Sequence, residues 1–274
     1  MNINLYSVLI LGIVMCFSCK NEGTGTSQTS NNSESHHESF EYLGSGTPKY
    51  TLTTGETTDE YNDAKMTGWN YENGRLSFDI EGNGYELKQQ SSDASSLMCA
   101  NSNEGAHIHV LLDKAPYVAK YEDNFEFDIP DGQHHILAFL GKSYHESIKN
   151  SSARIARLID VVDGKVTNEW NIPTPALFYS RPKGTYVGKD AEKILIDFYP
   201  LNIAIGEDAK IKLQVNGEQY YLYDWKPYFI EGLPAGTNSV GIQLLDMNGM
   251  PLPTPIGSFL RNFEIIKDPA KSLQ

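Results

Sequence analysis

The sequence predicts an all-β protein built from two tandem antiparallel β-sandwiches. Short runs alternate apolar and polar residues, as in Leu76-Ser77-Phe78-Asp79-Ile80, Ile108 to Leu112, Phe125-Glu126-Phe127, Ile136 to Leu140, Ile159 to Val161 and Ile194 to Phe198. Alternation at period two marks a strand with one buried face. Turn formers separate the runs, among them Pro130-Asp131-Gly132, Asp163-Gly164, Asn216-Gly217 and Asn248-Gly249. The pattern is also doubled. Ala106-His107-Ile108-His109-Val110-Leu111-Leu112-Asp113 recurs about 103 positions later as Ala209-Lys210-Ile211-Lys212-Leu213-Gln214-Val215-Asn216. Ile129-Pro130-Asp131-Gly132 returns as Leu233-Pro234-Ala235-Gly236, and Arg157 to Val162 returns as Arg261 to Ile266. Strand length, spacing and turns fit immunoglobulin-like sandwiches produced by an internal repeat.

The elements follow in chain order. Residues 1–18 read as a signal peptide: Leu5 to Phe17 is apolar but too short to span a bilayer, and Ser18-Cys19 supplies the small residue and acceptor of a lipobox. The n-region lacks Lys and Arg, and Cys16 stands where Leu is usual; bulky Met15 before it makes Cys16 the poorer acceptor. Acyl chains on Cys19 would hold the protein at a membrane without a transmembrane helix. Lys20-Asn21-Glu22 resembles the export tags of Bacteroidota surface lipoproteins, which implies the outer membrane and its surface. Residues 19–48 are Ser-, Thr-, Asn- and Gly-rich and read as a flexible tether, with His36-His37 as a solvated pair. Residues 49–166 form the first, histidine-bearing sandwich and 190–274 the second. Between them, residues 167–189 are expected to be an ordered linker, because Trp170, Leu177, Phe178 and Tyr179 would not be left in solvent. Tyr221, Tyr223, Trp225 and Tyr228 read as core or interdomain packing, with carbohydrate or protein contact as the alternative.

Composition narrows the function. A formal net charge of −13 argues against nucleic acid, whose phosphates would be repelled. After processing, Cys99 is the one unmodified cysteine, so no internal disulfide is expected. It is either a small buried hydrophobe or a reactive or ligating thiol.

The two copies share a pattern and differ in chemistry. His107, His109, His134, His135 and His145 stand against Lys210, Lys212, Asn238, Ser239 and Gly249, so the fold itself does not require the imidazoles. Alternation puts Ile108, Val110 and Leu112 inside the first sandwich and His107, His109 and Leu111 outside. The later strand puts Ile136, Ala138 and Leu140 inside and His135, Leu137 and Phe139 outside. That outer face is apolar as well as histidine-bearing and needs a cover. An insertion from Ser91 to Gly105, absent from the second copy, supplies a candidate cover together with Met98 and Cys99. Two imidazoles on one strand face, with a thiolate, suit zinc or copper, and a thioether favours copper. The expected metal ligands are Cys99, His107, His109 and His145, then His135, with Met98 as a weak axial group. The alternative is a metal-free, histidine-rich interface. A further reading makes Cys99 a nucleophile with His107 or His145 as base and Glu146 as orienter, although no nucleophile elbow accompanies it. Arg154, Arg157, Arg181 and Lys183 read as solvated charges or an anion pocket.

Ala106-His107-Ile108-His109-Val110, Phe139 to Lys149 with Ser143-Tyr144-His145-Glu146-Ser147-Ile148-Lys149, and Leu177 to Gly184 resemble a group of little-characterised Bacteroidota lipoproteins. The resemblance covers Leu76 to Lys189. A phosphopeptide-binding label sometimes travels with that group, but nothing in these residues resembles a phosphopeptide module. The reading is therefore a lipid-anchored cell-envelope binding protein whose first domain takes copper or zinc. A metal-free surface adhesion or assembly module is the alternative, followed by a thiol- or metal-dependent hydrolase. Its expected partners are the membrane, through the anchor, and an envelope protein or glycan.

Overall fold

In the computed structural model, residues 38–56 and 60–267 are described. The signal peptide, Cys19 and most of the tether lie outside them. Strands β1 (Phe40–Tyr42) and β2 (Thr51–Thr54) precede the first repeat. That repeat comprises β3 (Lys65–Glu72), β4 (Arg75–Glu81), a short helix α1 (Ala94–Leu97), β5 (His107–Leu112), β6 (Val118–Lys120), β7 (Asn124–Glu126), β8 (Gly132–Gly141), β9 (Arg154–Val162) and β10 (Lys165–Trp170). The second comprises β11 (Ala176–Arg181), β12 (Thr185–Val187), β13 (Lys193–Leu201), β14 (Ala209–Val215), β15 (Glu218–Leu222), β16 (Tyr228–Glu231), β17 (Gly236–Asp246) and β18 (Ser258–Ile266).

In the first repeat β3-β4-β7 and β6-β5-β8-β9 form the two layers, and β10 pairs with both β9 and β3 to join them into one eight-stranded sheet. The second repeat keeps its layers apart as β11-β13-β16-β2 and β1-β15-β14-β17-β18-β12. Stripped of the added edge strands, each is an immunoglobulin-like sandwich with three strands facing four.

The repeat is preserved register by register. His107 lies opposite Gly141, and Lys210 opposite Leu245. Gly132 pairs with Val161 as Gly236 pairs with Ile265, and Leu76 with Phe125 as Ile194 with Ile230. Asp163-Gly164 and Asn216-Gly217 close two-residue hairpins with positive φ at both central positions, the geometry that matches strand twist.

Alternation assigned the faces of the first sandwich correctly. Ile108, Val110, Ile136, Ala138 and Leu140 fill its interior with Leu76, Phe78 and Phe125. Leu111, Leu137 and Phe139 point the other way, into a second cluster that also holds Phe178, Tyr199, Ile211 and Phe263. The outer sheet of the first sandwich is therefore packed on the second. Phe139 meets the ring of Tyr199 at 5.2 Å.

Three features differ from the sequence expectation. The insertion is not the main cover of the histidine-bearing face: Ala94, Leu97 and Cys99 pack with Tyr144, Leu195 and Phe229. The cover is β11, every residue of which is buried, together with β13. Which distant segment lands on a face is a tertiary matter that strand periodicity does not encode. The segment read as a linker is divided among β10, β11 and β12, and Trp170 within it is exposed. Finally, β1 and β2 extend the second sandwich through β15 and β16, although the first repeat follows them in sequence. Phe40 and Tyr42 supply the apolar contact, packing on Tyr220. Of the aromatic row, Tyr228 is in the core and Trp225 packs against Tyr199.

Because one strand is buried on behalf of both sandwiches, the described unit should unfold in a single calorimetric transition. Phe139→Ala removes a fully buried ring at that junction and should lower stability by about 3–5 kcal/mol. Two separate transitions, with only one moved by the substitution, would contradict the shared core.

Candidate metal centre

The site forms where β5, the end of β8 and the loop after it meet β11. His107 and His109 share one face of β5 because they are two residues apart. Both are fully buried, and His145 nearly so. His107 Nε2 lies 2.8 Å from His109 Nε2 and 2.9 Å from His145 Nδ1. The three ligand-capable nitrogens all fall within 4.8 Å of one another.

The far sides of two rings are anchored. His107 Nδ1 donates to the Gly105 carbonyl at 2.8 Å, which fixes the tautomer and leaves a lone pair on Nε2. His109 Nδ1 is 3.1 Å from Ser180 Oγ on β11, a hydroxyl able to accept or donate. Tyr117 stacks on His109 at 3.8 Å between ring centroids, and Tyr121 and Phe139 contact His107 and His109 respectively. Gly141, opposite His107, keeps the space open: a Cβ there would sit 3.2 Å from the His107 carbonyl oxygen and 3.7 Å from the His109 ring.

His145 owes its position to the repeat. The loop after β8 and the loop after β17 share their hydrogen bonds: His145 N to Lys142 O corresponds to Gly249 N to Asp246 O, and Lys142 N to Glu146 O corresponds to Asp246 N to Met250 O. Both loops need a left-handed residue, with φ +73° at His145 and +89° at Gly249. The second repeat uses glycine, which adopts this conformation freely. The first uses histidine at a cost of about 1 kcal/mol, and its ring completes the cluster.

Burial keeps the imidazoles neutral. It pushes the His107 pKa down to about 4, with the Gly105 hydrogen bond opposing and Arg181 reinforcing the shift. His109 and His145 are also driven well below the usual histidine range, first by burial and then by their neighbours, including the cations Arg181 and Lys183. A register shift in β11 between Tyr179 and Arg181 re-aims the chain, and the Arg181 guanidinium lies over Tyr117 and donates to the Tyr186 hydroxyl. Lys183 lies over the same Tyr117 ring and hydrogen-bonds its carbonyl.

The other residues expected at the site are elsewhere. Cys99 lies in the separate apolar cluster of the insertion, outside the histidine group. Burial pushes its thiol up to about 11, with Lys193 only partly opposing, so it is a protonated core thiol unsuited to the nucleophile role. Met98 is exposed. His135 follows the alternation but sits opposite Asp113, at the far end of β8, with its Nδ1 3.8 Å from that carboxylate. Glu146 accepts from Tyr144 at 2.6 Å and faces Lys142, so it does not orient a histidine. The contribution sequence reading missed is that of Ser180, Tyr117 and Tyr121. Their relevance depends on β11 landing on β5, and no local pattern signals it.

No protein-family model matches the chain, and no curated protein matches it in sequence. Similar solved structures include the fibronectin(III)-like modules of CbhA from Clostridium thermocellum, at 11% identity and TM-score 0.27, covering 79% of this chain and 95% of that one. The central fibronectin-III array of RIM-binding protein matches at 13% identity and TM-score 0.25, covering 75% and 69%. A Bacteroides ovatus protein, SGBP-B of a mixed-linkage glucan utilization locus, solved with a mixed-linkage heptasaccharide, matches at 8% identity and TM-score 0.18, covering 81% and 71%.

The depressed histidine pKa values set a pH dependence for the metal-free protein. A group held neutral in the fold, with its folded pKa below the unfolded value, contributes stability that is complete above about 6.5 and lost as pH falls toward about 4. His107 alone should account for a loss of about 3 kcal/mol across that window, and His109 and His145 add with the same sign. Urea denaturation at a series of pH values should show this slope, reduced in His107→Gln. A flat profile would show that the rings are not held neutral.

Proposed function

We propose that the protein is a lipid-anchored cell-envelope binding protein whose first sandwich holds a transition metal, copper or zinc, at His107, His109 and His145. One observation carries this reading. The His107 Nε2 lone pair faces two other ring nitrogens at 2.8 and 2.9 Å, and one lone pair accepts two such bonds poorly. An ion bonded at about 2.0–2.1 Å to each nitrogen replaces that crowding with three bonds and holds the nitrogens roughly 3.4 Å apart. Reaching that arrangement requires the two close pairs to open by about half an ångström and the third, up to 4.8 Å apart, to close by up to about 1.4 Å. The outer hydrogen bonds support the same reading, since metal-bound histidines characteristically donate their other N–H to a carbonyl or another oxygen. The internal repeat adds a control, because the equivalent positions carry Lys210, Lys212 and Gly249 in a fold of the same register.

The second reading is a metal-free adhesion or assembly module. It is favoured by the burial of the three rings between the sandwiches, where hydrogen bonds among them already satisfy part of their polarity. Elemental analysis of untagged protein separates the two. Wild-type protein should carry about one copper or zinc per chain, and the double substitution His107→Ala with His109→Ala should abolish it while leaving the β-sheet dichroism intact. Unchanged metal content in that variant removes the metal reading. Loss of folding with no metal in the wild type makes the histidines structural.

Anchoring rests on Ser18-Cys19 and the polar tether after it. Cys19→Ala should shift the protein out of the membrane fraction, and mass spectrometry of the wild type should find acyl chains on Cys19. An unacylated N-terminus would remove the envelope localisation.

A further inference from the structure

We infer that the three-histidine site selects a monovalent soft ion, copper(I), over zinc(II). The inference rests on the proposed metal reading and follows from coordination number and from charge.

The donor set is three neutral imidazoles; among the described residues no carboxylate or thiol joins it. Zinc is almost always four-coordinate, either through a fourth protein ligand or through a water at an open position. Here the oxygens nearest the rings are already committed. Ser180 Oγ sits behind His109, on the Nδ1 side, and the Tyr121 hydroxyl is bonded to Ser102 Oγ at 2.7 Å. The stacked Tyr117 ring and Phe139 close the face around His109. Copper(I), a monovalent ion that is stable with two or three ligands, needs no fourth.

Charge acts in the same direction. The charged side chains that bear on the three rings are Arg181 and Lys183, both cationic. Arg181 is buried among Tyr117 and Tyr186, and among the described residues neither it nor Lys183 forms an ion pair. The carboxylates of the same region are engaged by other cations, Glu60, Asp93 and Glu146 by Lys142 and Asp197 by Lys149. A bound ion thus enters a neutral donor set beside two cations that, among the described residues, bond no carboxylate directly. The second unit of charge on a divalent ion doubles its repulsion from both, which disfavours zinc(II) relative to copper(I).

The test uses the full chain with Cys16→Ser, Cys19→Ser and Cys99→Ser, so that no thiol competes for the metal. Copper(I) is titrated anaerobically against a copper(I) chelator, and zinc(II) against a zinc-responsive chelator. The site is defined as the binding lost in His107→Ala with His109→Ala. Copper(I) should bind there more tightly than zinc(II). Lys183→Gln, checked for folding by dichroism, should narrow the gap by strengthening zinc(II) more than copper(I). Zinc(II) binding as tightly as copper(I) to the parent chain overturns the selectivity, whatever the variant does. An equal shift of both metals in a folded Lys183→Gln protein overturns the charge argument on which it stands. Absence of any histidine-dependent binding by either metal is a distinct outcome, which removes the metal reading itself and this inference with it.

Discussion

The structure depends on covering one face. In the first repeat the sheet surface formed by β5 and β8 carries Leu111, Leu137 and Phe139, all buried, and it is the outer surface of a sandwich that already has its own interior. Each such side chain is worth about 1.5–3 kcal/mol when removed from water, so this sandwich alone would leave a large apolar patch exposed. The second sandwich supplies the cover through the outward residues of β13 and through β11, whose alternating side chains serve both bodies. Tyr179 stacks on Phe259 of the second sandwich, whereas Ser180 meets His109 of the first. The chain path reinforces the union. β1 and β2 belong to the second sandwich, the chain then builds the first, and it returns to complete the second.

Polar groups at the junction fix how the two bodies meet. Asp197 on β13 is fully buried and takes hydrogen bonds from Ser147 Oγ at 2.8 Å and Lys149 Nζ at 2.7 Å, both in the loop that follows the β8 histidine strand. Lys142 in the same loop faces Glu60, Asp93 and Glu146. Buried ion pairs add little net stability, because desolvation offsets attraction, but breaking one partner leaves a costly charge. Their effect here is to penalise any sliding of one apolar surface over the other. The insertion is tied to the same loop by a reciprocal pair, Ser91 N to Ser143 Oγ and Ser143 N to Ser91 Oγ. His145 is thus held in a loop whose neighbours on both sides are pinned.

Much of this was legible in the sequence because it is local or repeated. Period-two alternation revealed which residues of β5 and β8 point inward. The internal repeat paired His107, His109 and His145 with Lys210, Lys212 and Gly249, and the registers bear that pairing out. Long-range placement was not legible. Leu97-Met98-Cys99 adjoins the histidine strand in sequence, yet its apolar members are drawn to Leu195 and Phe229 of the other sandwich, which takes the thiol away from the imidazoles. His135 obeys the same alternation as Leu137 and Phe139, but it lies six positions along β8 from Gly141, the residue opposite His107. Periodicity reports the face and says nothing of distance along it. The partners on β11 escaped for a related reason: Ser180, between Tyr179 and Arg181, carries no signal until the strand is docked.

The repeat also shows that the histidines oppose the needs of folding. In the second sandwich the equivalent face is left partly to solvent, and Lys212 stays only half-buried while Lys210 lies along Tyr221. In the first sandwich the face is covered, a setting that favours aliphatic residues at positions 107 and 109. Imidazoles there must give up their hydration and remain neutral. The loop residue at position 145 must adopt a left-handed backbone that glycine supplies freely in the other copy. Three departures from the easier choice converge on one point, where the side-chain nitrogens meet. That convergence, in one copy of the repeat and not the other, is what the proposed function rests on.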